Sequence, residues 1–305
     1  MPIEEIDVLL ATYNGEKFLR EFLESLLRQK NVKINLKASD DGSQDQTLEI
    51  LHEYSQQFHS FKLLSGPSKG PGENFLFLLK HSTAEFAAFA DQDDVWLPEH
   101  LSNSIFRLKN KSTPAMTFAS VKEFSSSVNE LNRIWPTKLN IDNIANIAFE
   151  NYARGCVIVL NSSAVKLINS KSPKYLIMHD WWILQVLMTC GEISFSSLPE
   201  VYYRIHNANF TKRRYPQIFS FIQTLIRGNW KPILQLQSLY ECYGSQMDQK
   251  NQKQLLKIIN ISHSRKNGFI YSLTSKERHR TGRVAEIKLR FGLIFTLWLL
   301  RNNTW

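Results

Sequence analysis

The N-terminal part of the chain alternates between two apolar periodicities, and this alternation constrains the fold more than any other feature. Three stretches repeat apolar residues at the spacing of amphipathic helices: 15–29, 44–58 and 73–81. Four short apolar runs around them are typical of buried strands: 6–11, 32–38, 61–64 and 86–90. The resulting order β-α-β-α-β-α-β predicts an α/β fold in which helices cover both faces of a parallel sheet.

The chain has 305 residues, which is enough for one large domain and a smaller appendage. We expect an α/β domain over residues 1–210 and a mainly helical, basic region over residues 211–305. The three cysteines, Cys156, Cys190 and Cys242, form no C-x-x-C pair, and the acidic N-terminus carries no apolar leader. Both features predict a reducing, cytoplasmic setting.

Positive charge is concentrated in the last third of the chain. Through Tyr203 there are 19 Lys and Arg against 24 Asp and Glu, whereas from Arg204 onward there are 18 against 4. Such a basic region predicts an anionic partner, for which nucleic acid, anionic lipid and a diphosphate-bearing molecule are the candidates. We disfavour nucleic acid because the region lacks aromatic residues interleaved in a known RNA- or DNA-binding motif.

The C-terminal tail is basic over residues 263–290 and apolar over residues 291–300. This order is typical of a peripheral membrane segment and predicts contact with the cytoplasmic face of the cell membrane. The apolar stretch is too short to span a bilayer. The alternative is a helical cap that packs on the main domain or mediates a homodimer contact.

Polar side chains follow three of the predicted strands, at the edge where ligands bind in parallel sheets. Because the carboxyl ends of parallel strands meet there, we expect the three clusters to converge. The clusters are Thr12, Tyr13 and Asn14 after the first strand, Asp40 and Asp41 after the second, and Asp91, Gln92, Asp93 and Asp94 after the fourth.

The acidic cluster at residues 91–94 predicts a metal site. Adjacent carboxylates repel each other, and a divalent cation removes the repulsion. Mg²⁺ or Mn²⁺ takes such oxygen ligands together with phosphate and water, and would neutralise the charge of a departing diphosphate. The alternative is that Asp93 and Asp94 cap the start of the next helix.

Asp41 is a candidate nucleotide contact, since a carboxylate after a strand can accept hydrogen bonds from a base or a ribose. The alternative is a turn residue, a role that fits Asp40 and Ser43 equally well. Residues 12–14 would meet the same nucleotide, or would form a strand-to-helix turn with Asn14 as the helix cap.

Asp180, in the sequence His-Asp-Trp-Trp, is a candidate general base for a hydroxyl nucleophile. Trp181 and Trp182 would raise its pKa or stack against a sugar. The alternative is that Asp180 caps the following helix and that both tryptophans belong to the core.

Arg204 and His206 lie two residues apart on a predicted strand and therefore point to one face. Arg204 would bind phosphate, and His206 would bind the metal ion. The alternatives are a surface arginine and an ordinary histidine.

Taken in order, the motifs resemble those of family 2 glycosyltransferases, which have the Rossmann-like GT-A fold. They are LATYNGE at 10–16, SDDGS at 39–43 and ADQDDVWLP at 90–98. With HDWW at 179–182 and YRIH at 203–206, the chain is similar to bacterial rhamnosyltransferases of O-antigen and cell-wall polysaccharide assembly. The resemblance covers about residues 5–210.

This resemblance implies a metal-dependent, inverting hexosyltransferase that acts by single displacement. Asp180 would be the base, Asp93 and His206 would hold Mg²⁺ or Mn²⁺, and Asp91 would contact the ribose or donor sugar. The other predicted donor contacts are Thr12, Tyr13, Asn14, Asp41, Asn74, Gln92 and Arg204, and the predicted acceptor-side residues are Arg154, Trp181 and Trp182.

The implied donor is a nucleotide-diphosphate sugar, with dTDP-rhamnose favoured over a UDP-hexose or a UDP-N-acetylhexosamine. The implied acceptor is a polyprenyl-diphosphate-linked glycan at the cytoplasmic membrane face. Arg154-Gly155-Cys156 departs from the Thr-Gly-Cys of relatives, and residues 207–210 fit the His-x-x-Asn pattern only through Asn209. An alternative of another class is a non-catalytic assembly or anionic-polymer-binding protein, against which intact Asp41, Asp93 and Asp180 speak.

Overall fold

The computed structural model describes residues 3–125, 131–139, 141–206, 231–260, 286–287 and 289–290. These residues fall into two compact units. The first is drawn from the segments Met1–Leu139, Tyr152–Ser172 and Met178–His206, and the second from Asn140–Asn151, Pro173–Ile177 and Asn207–Trp305. The predicted boundary between residues 210 and 211 lies outside the described residues, so that division stays a prediction.

The first half of the sheet in the first unit follows the predicted alternation. Its strands are β1 (Glu4–Thr12), β2 (Val32–Asp40), β3 (Ser60–Ser65) and β4 (Phe86–Asp91), in the order β3-β2-β1-β4 and all parallel. The helices between them are α1 (Glu16–Leu27), α2 (Thr47–Tyr54) and α3 (Pro71–Lys80). All seven predicted elements are confirmed, because turn residues bound each apolar stretch and strands alternate regularly with helices.

The second half of the sheet is mixed, and the prediction of an entirely parallel sheet is wrong there. From β4 the order continues β8-β6-β9-β5, with β7 at the side of β6. Only β6 and β9 pair in parallel among these strands of the described chain. The strands are β5 (Val95–Trp96), β6 (Ala115–Phe124), β7 (Leu131–Trp135), β8 (Val159–Asn161) and β9 (Glu192–Arg204).

Several boundaries in this half differ from the sequence prediction. The sequence at 193–195 and 201–205 predicts two short strands. Both belong to the single strand β9, which stays paired with β6 through register shifts near Ser120. Residues 125–132 predict a polar turn, but β7 begins at Leu131. The apolar run at 156–160 predicts one buried strand, but residues 156–157 belong to a 3-10 turn. Short strands carry little periodicity, which explains these errors.

Three further helices complete the first unit: α4 (His100–Leu108), α6 (Ser162–Asn169) and α7 (His179–Cys190). Asn161 caps α6 by accepting a hydrogen bond from the Ala164 amide at 2.9 Å. The helix α7 is apolar around most of its circumference and is correspondingly buried. It places residues 179–182 at the start of a helix within the first unit.

The second unit contains α5 (Ile144–Ile147), α8 (Lys231–Tyr243) and α9 (Gln249–Asn260). The buried side chains of Gln235 and Ser238 on α8 accept hydrogen bonds from the amides of Ile177 and Tyr175 at 2.7 and 3.0 Å. The sequence at 217–226 predicts a further helix. That segment and the apolar tail at 291–300 lie outside the described residues. Within the described ranges, no helix is long and apolar enough to cross a membrane.

Candidate active site

The carboxyl ends of β1, β2 and β4 bring the predicted polar clusters together. The Asp41 amide donates to the Thr12 carbonyl at 2.9 Å, which joins the ends of β2 and β1. The Gln92 side chain accepts from the Tyr13 amide and donates to the Tyr13 carbonyl, both at 3.0 Å. Gln92 therefore fixes the main chain beside the exposed Tyr13 ring.

The structure separates the roles of Asp40 and Asp41. The Asp40 carboxylate accepts from the Thr12 hydroxyl at 2.8 Å, from the Gly42 and Ser43 amides, and from the Ser43 hydroxyl. Asp40 is thus the turn residue, and the Thr12 hydroxyl is committed to it. The partly exposed Asp41 carboxylate accepts only from the Ser68 amide, at 3.0 Å, among the hydrogen bonds described.

Gly66 leaves the room that Asp41 occupies. A Cβ atom at Gly66 would lie 2.2 Å from Asp41 Oδ1 and 3.1 Å from Asn74 Nδ2. Asn74 is buried, and its amide donates to the Ser39 carbonyl at 3.1 Å, while no donor in the described chain reaches its Oδ1. Asp41 Oδ1 and Asn74 Nδ2 therefore lie close to each other beside Gly66, and their contact with a donor stays a prediction.

Asn14 is not the cap of α1, so that alternative is wrong. The N-cap position is Gly15, and no side chain caps the helix there. Asn14 instead adopts a left-handed backbone with φ of 45°. Its side chain accepts from the Gln44 amide at 2.8 Å, and its own amide donates to the Ser43 hydroxyl at 2.9 Å. Asn14 thereby links the loops that follow β1 and β2.

Three carboxylates share one electrostatic environment at the end of β4. Burial first, and then the charges of Asp93 and Asp180, raise the pKa of Asp91 to about 8, while the charge of Arg154 acts in the opposite direction. The contribution of Asp180 shows that the start of α7 faces the acidic cluster. Asp180 and the loop that carries Asp91 and Asp93 therefore lie near each other.

The capping alternative for Asp93 and Asp94 is wrong. The helix α4 begins at His100 with Glu99 at its N-cap position. Asp94 is fully buried, and its Oδ1 accepts from the Arg204 amide at 2.9 Å. Burial, followed by the charges of Asp93 and Asp91, raises the pKa of Asp94 well above its usual range.

Asp93 and His206 form a pair, with Nε2 of the imidazole 2.6 Å from Oδ2 of the carboxylate. Carboxylate oxygens suit Mg²⁺ and Mn²⁺, whereas an imidazole nitrogen is a ligand of transition metals rather than of Mg²⁺. A second group, formed by Asp91, Asp94 and Cys156, has its ligand atoms within 4.8 Å of one another. Its buried thiol suits softer ions, so Asp93 and His206 with neighbouring Asp91 fit a hard divalent cation better.

Asp180 is not a helix cap either, because α7 has Met178 at its N-cap position and no side-chain cap hydrogen bond. Asp180 Oδ1 accepts from the Trp181 amide at 2.6 Å. Trp182 is fully buried, so its predicted contact with the acceptor is wrong and its place in the core is confirmed. Trp181 is only half-buried.

Arg154 lies in an aromatic and acidic setting. Its guanidinium pairs with Glu123 at 2.7 Å and lies 3.9 Å from the ring centre of Tyr203 and 5.1 Å from that of Trp135. Since its charge also acts on Asp91, Arg154 borders the acidic cluster. The structure thus places the predicted acceptor-side arginine next to the site.

Arg204 is buried, so the alternative of a surface arginine is wrong. Its guanidinium donates to the Asp93 carbonyl at 2.8 Å and to Glu21 at 2.5 Å. The ring centres of Phe18 and Phe124 lie 4.6 and 4.3 Å from it. These protein contacts are those of a residue that holds the loop at 93 and 94.

The sequence analysis gave no role to His179 or Gly155, two buried residues beside Asp180. His179 is stacked on Phe75, with ring centres 4.1 Å apart, and burial lowers the pKa of His179 to about 3, so the ring is neutral. A Cβ atom at Gly155 would lie 2.6 Å from its Nε2. The sequence gives no signal for this approach, and none for Glu21 on the half-exposed side of α1. Gly66 differs, because it lies in a loop rich in glycine and proline, and such a loop is a sequence signal for close packing of the backbone.

Comparison with known proteins identifies relatives of one kind. The model of the family described as "Glycosyl transferase family 2" matches residues 7–160. The dTDP-rhamnosyl transferase RfbG of Shigella flexneri is 29% identical over 66% of this chain and 72% of its own length. A glucosyltransferase of Escherichia coli, WfaP, whose name gives α-D-GlcNAc-diphosphoundecaprenol as acceptor, is 23% identical over 71% of this chain and 83% of its own.

Solved structures share the fold. Staphylococcus aureus TarS residues 1–349 in complex with UDP-GlcNAc has a TM-score of 0.61 at 20% identity, covering 89% of this chain and 76% of that one. As a curated protein, TarS is 35% identical over 33% of this chain, which spans only 18% of TarS. The mannosyltransferase PcManGT of Pyrobaculum calidifontis with GDP-Man and Mn²⁺ has a TM-score of 0.55 at 11% identity, covering 98% and 87%.

Proposed function

Because the chain belongs to glycosyl transferase family 2, we propose that it is an inverting glycosyltransferase of surface polysaccharide synthesis that transfers a hexose from a nucleotide-diphosphate sugar. The observation that carries the proposal is the convergence of Asp91, Asp93 and Asp180 at one sheet edge. Glycosyl transfer by single displacement needs a base at the acceptor hydroxyl and acidic residues that hold a cation at the diphosphate. This edge of the sheet offers both kinds of group within one electrostatic environment.

The proposed chemistry is a single displacement. Asp180 accepts the proton of the acceptor hydroxyl while the hydroxyl oxygen attacks the anomeric carbon of the donor sugar. The bond between that carbon and the diphosphate oxygen breaks at the same time. Attack from the opposite side inverts the anomeric configuration. His179, beside the base, is neutral and stacked on Phe75, so it adds no competing charge and holds the first turn of α7 in place.

The donor nucleotide would lie across the ends of β1 and β2. Asp41 and Asn74 would accept or donate hydrogen bonds to it, and the ring of Tyr13, which is 58% exposed, offers a surface for the base. Gln92 and Asn14 would act by fixing the loops that carry these contacts. Thr12 would contribute through its main chain, since its hydroxyl is held by Asp40.

A divalent cation would be held by Asp93 and His206, with Asp91 beside them. When bound, such a cation supplies charge that stabilises the leaving diphosphate. Two observations support this site: the 2.6 Å distance between His206 Nε2 and Asp93 Oδ2, and the raised pKa of Asp91. Carboxylates that lie close together repel each other, and a cation among them removes the repulsion. Arg204 has no proposed contact with the donor, since its guanidinium is buried against Asp93 and Glu21.

We favour dTDP-rhamnose as the donor, because RfbG is similar over two thirds of the chain. A UDP-hexose or UDP-N-acetylhexosamine is the second candidate, supported by the fold shared with TarS in its UDP-GlcNAc complex. The proposed acceptor is a polyprenyl-diphosphate-linked glycan, in keeping with the acceptor in the name of WfaP. The basic tail would then bring the enzyme to the cytoplasmic membrane face.

The test is a donor screen. The purified full chain is incubated with dTDP-rhamnose, UDP-glucose, UDP-galactose or UDP-N-acetylglucosamine and Mn²⁺ or Mg²⁺, and release of nucleotide diphosphate is measured. The proposal predicts turnover of one donor well above the others, with dTDP-rhamnose first. Turnover of a UDP-sugar alone would replace the donor, and turnover of none, with no nucleotide binding, would favour a non-catalytic protein.

A further inference from the structure

Arg204 contacts the loop that carries Asp93, one of the two residues of the proposed metal pair. Its Nε donates to the Asp93 carbonyl at 2.8 Å, and its main-chain amide donates to Asp94 Oδ1 at 2.9 Å. One residue thus holds the main chain of Asp93 and the side chain of its neighbour. Two donors on one residue fix the direction in which the Asp93 carboxylate leaves the loop.

The same arginine also supports the histidine of the pair. Phe18 on α1 packs against the Arg204 guanidinium at 4.6 Å, and its ring centre lies 4.9 Å from that of His206. Phe124 covers the guanidinium at 4.3 Å. A buried guanidinium beside aromatic rings gains cation–π attraction and keeps those rings in position.

Glu21 completes the arrangement from α1. Its carboxylate accepts from Arg204 Nη2 at 2.5 Å, while its side chain is 49% exposed and the arginine side chain only 5%. The positive charge of the buried guanidinium is thereby paired with a carboxylate of α1, outside the acidic loop. The donors of Arg204 are directed at protein groups, and little of its surface is open to a ligand.

We infer that Arg204 is a positioning residue that holds Asp93 and His206 together for the cation, with Glu21 as its anchor, and that it is not a phosphate ligand. This inference rests on the proposed function, because it concerns the proposed cation pair. Groups that orient metal ligands from behind typically change metal affinity by about 10- to 100-fold when they are replaced.

The experiment measures Mn²⁺ alone, by the loss of the free-ion EPR signal, and then dTDP binding at saturating Mn²⁺. The variants are Arg204→Lys and Glu21→Gln. The matched control is Arg107→Lys, because Arg107 on α4 is another largely buried arginine that pairs with a glutamate, Glu200 on β9, at 2.7 Å. The Arg107→Lys substitution disturbs a comparable ion pair but makes no change at Asp93 or His206. Thermal unfolding of each variant reports the structural cost separately.

The inference predicts that Arg204→Lys weakens Mn²⁺ binding by about 10-fold or more, and that Glu21→Gln weakens it in the same direction by up to about fivefold. Arg107→Lys lowers the unfolding temperature and leaves Mn²⁺ affinity as in wild type. Once Mn²⁺ is saturating, dTDP affinity recovers in both test variants. If Arg204→Lys does not fold, Glu21→Gln decides alone.

Two results would overturn the inference. One is unchanged Mn²⁺ affinity in Glu21→Gln and in any folded Arg204→Lys. The other is a loss of dTDP affinity in Arg204→Lys that saturating Mn²⁺ does not restore, which marks a phosphate ligand. Wild-type protein that binds dTDP but no Mn²⁺ would instead remove the proposed cation site itself, so the two failures are told apart by the wild-type titration.

Discussion

Nε2 of His206 lies 2.6 Å from Oδ2 of Asp93, although 113 residues separate the two in the chain. The antiparallel pairing of β5 with β9 creates this contact, because it sets Val95 opposite Tyr202 and Trp96 opposite Val201. The residues just before β5 therefore face those just after β9. A two-residue strand thus decides whether the proposed cation pair forms.

Replacement of Asp93 tests the pair directly. Asp93→Asn keeps the size of the side chain but removes the charge that a cation needs, so we expect Mn²⁺ binding to be lost and turnover to fall by at least about 10²-fold. Metal titration and nucleotide release measure the two effects. Glu99→Gln, in the same loop region but paired with Lys30 at 2.7 Å, is the control and should behave as wild type.

Asp180→Asn tests the base. Without a proton acceptor at the acceptor hydroxyl, turnover should fall by about 10²-fold or more, while dTDP and Mn²⁺ bind as before. Steady-state kinetics and calorimetry separate the two readouts. Asp45→Asn, an acid that accepts from the Thr47 amide at the start of α2, serves as control. A folded Asp180→Asn enzyme with near-full activity would remove Asp180 from the mechanism.

Gly155→Ala tests the close approach behind the base. The added Cβ would lie 2.6 Å from His179 Nε2, so the ring and the first turn of α7 must shift. We expect a loss of about 1–3 kcal/mol in the free energy of unfolding and a lower kcat with an unchanged donor KM. In the double variant with His179→Ala, the added cost of Gly155→Ala should shrink, as a direct contact requires. Additive costs would argue against the contact.

Asp7 provides a test of the fold that is independent of the reaction. It is fully buried and pairs with Lys37 at 2.5 Å. Burial alone would raise the pKa of Asp7, but hydrogen bonds from the Ala84 amide, Lys37 and the Thr83 amide together lower it below the ordinary value of 3.8. A lowered pKa means that this stabilisation is fully present above that ordinary value and is lost as the pH falls through the folded-state value.

Asp7→Asn should therefore cost about 3–5 kcal/mol at neutral pH, because Lys37 is left buried without its partner. The difference in the free energy of unfolding between Asp7→Asn and wild type should be constant around neutral pH. It should become smaller below the ordinary carboxyl pKa. Urea unfolding at several pH values measures it. Glu5→Gln, on the exposed neighbouring position of β1, should show no such pH-dependent difference. A constant difference down to strongly acidic pH would contradict the assigned pKa direction.

The first half of the fold was predictable because its signals are local. Apolar periods and turn residues set β1 to β4, and the parallel-sheet rule then brings Thr12, Asp41 and Asp91 to one edge. The same argument could not decide between Asp40 and Asp41, since both follow one strand. Only the hydrogen bonds that Asp40 accepts resolve that choice.

The rest depends on contacts between distant parts of the chain. No local pattern indicates that β9 returns beside β5, or that Glu21 on α1 reaches Arg204. The acidic patterns at 93–94 and at 180 suggested helix caps as readily as a site, and the helix starts at His100 and His179 exclude those caps. The tail that predicted membrane contact lies outside the described residues and stays a prediction.

Calorimetric titration of the full chain with dTDP, with Mn²⁺ and in EDTA, tests the central claim most directly. The account predicts binding with Mn²⁺, much weaker binding in EDTA, and the same weak binding for Asp93→Asn under both conditions. Equal binding in EDTA and Mn²⁺ by wild type, matched by Asp93→Asn, would contradict the claim that Asp93 and His206 hold a cation at the diphosphate.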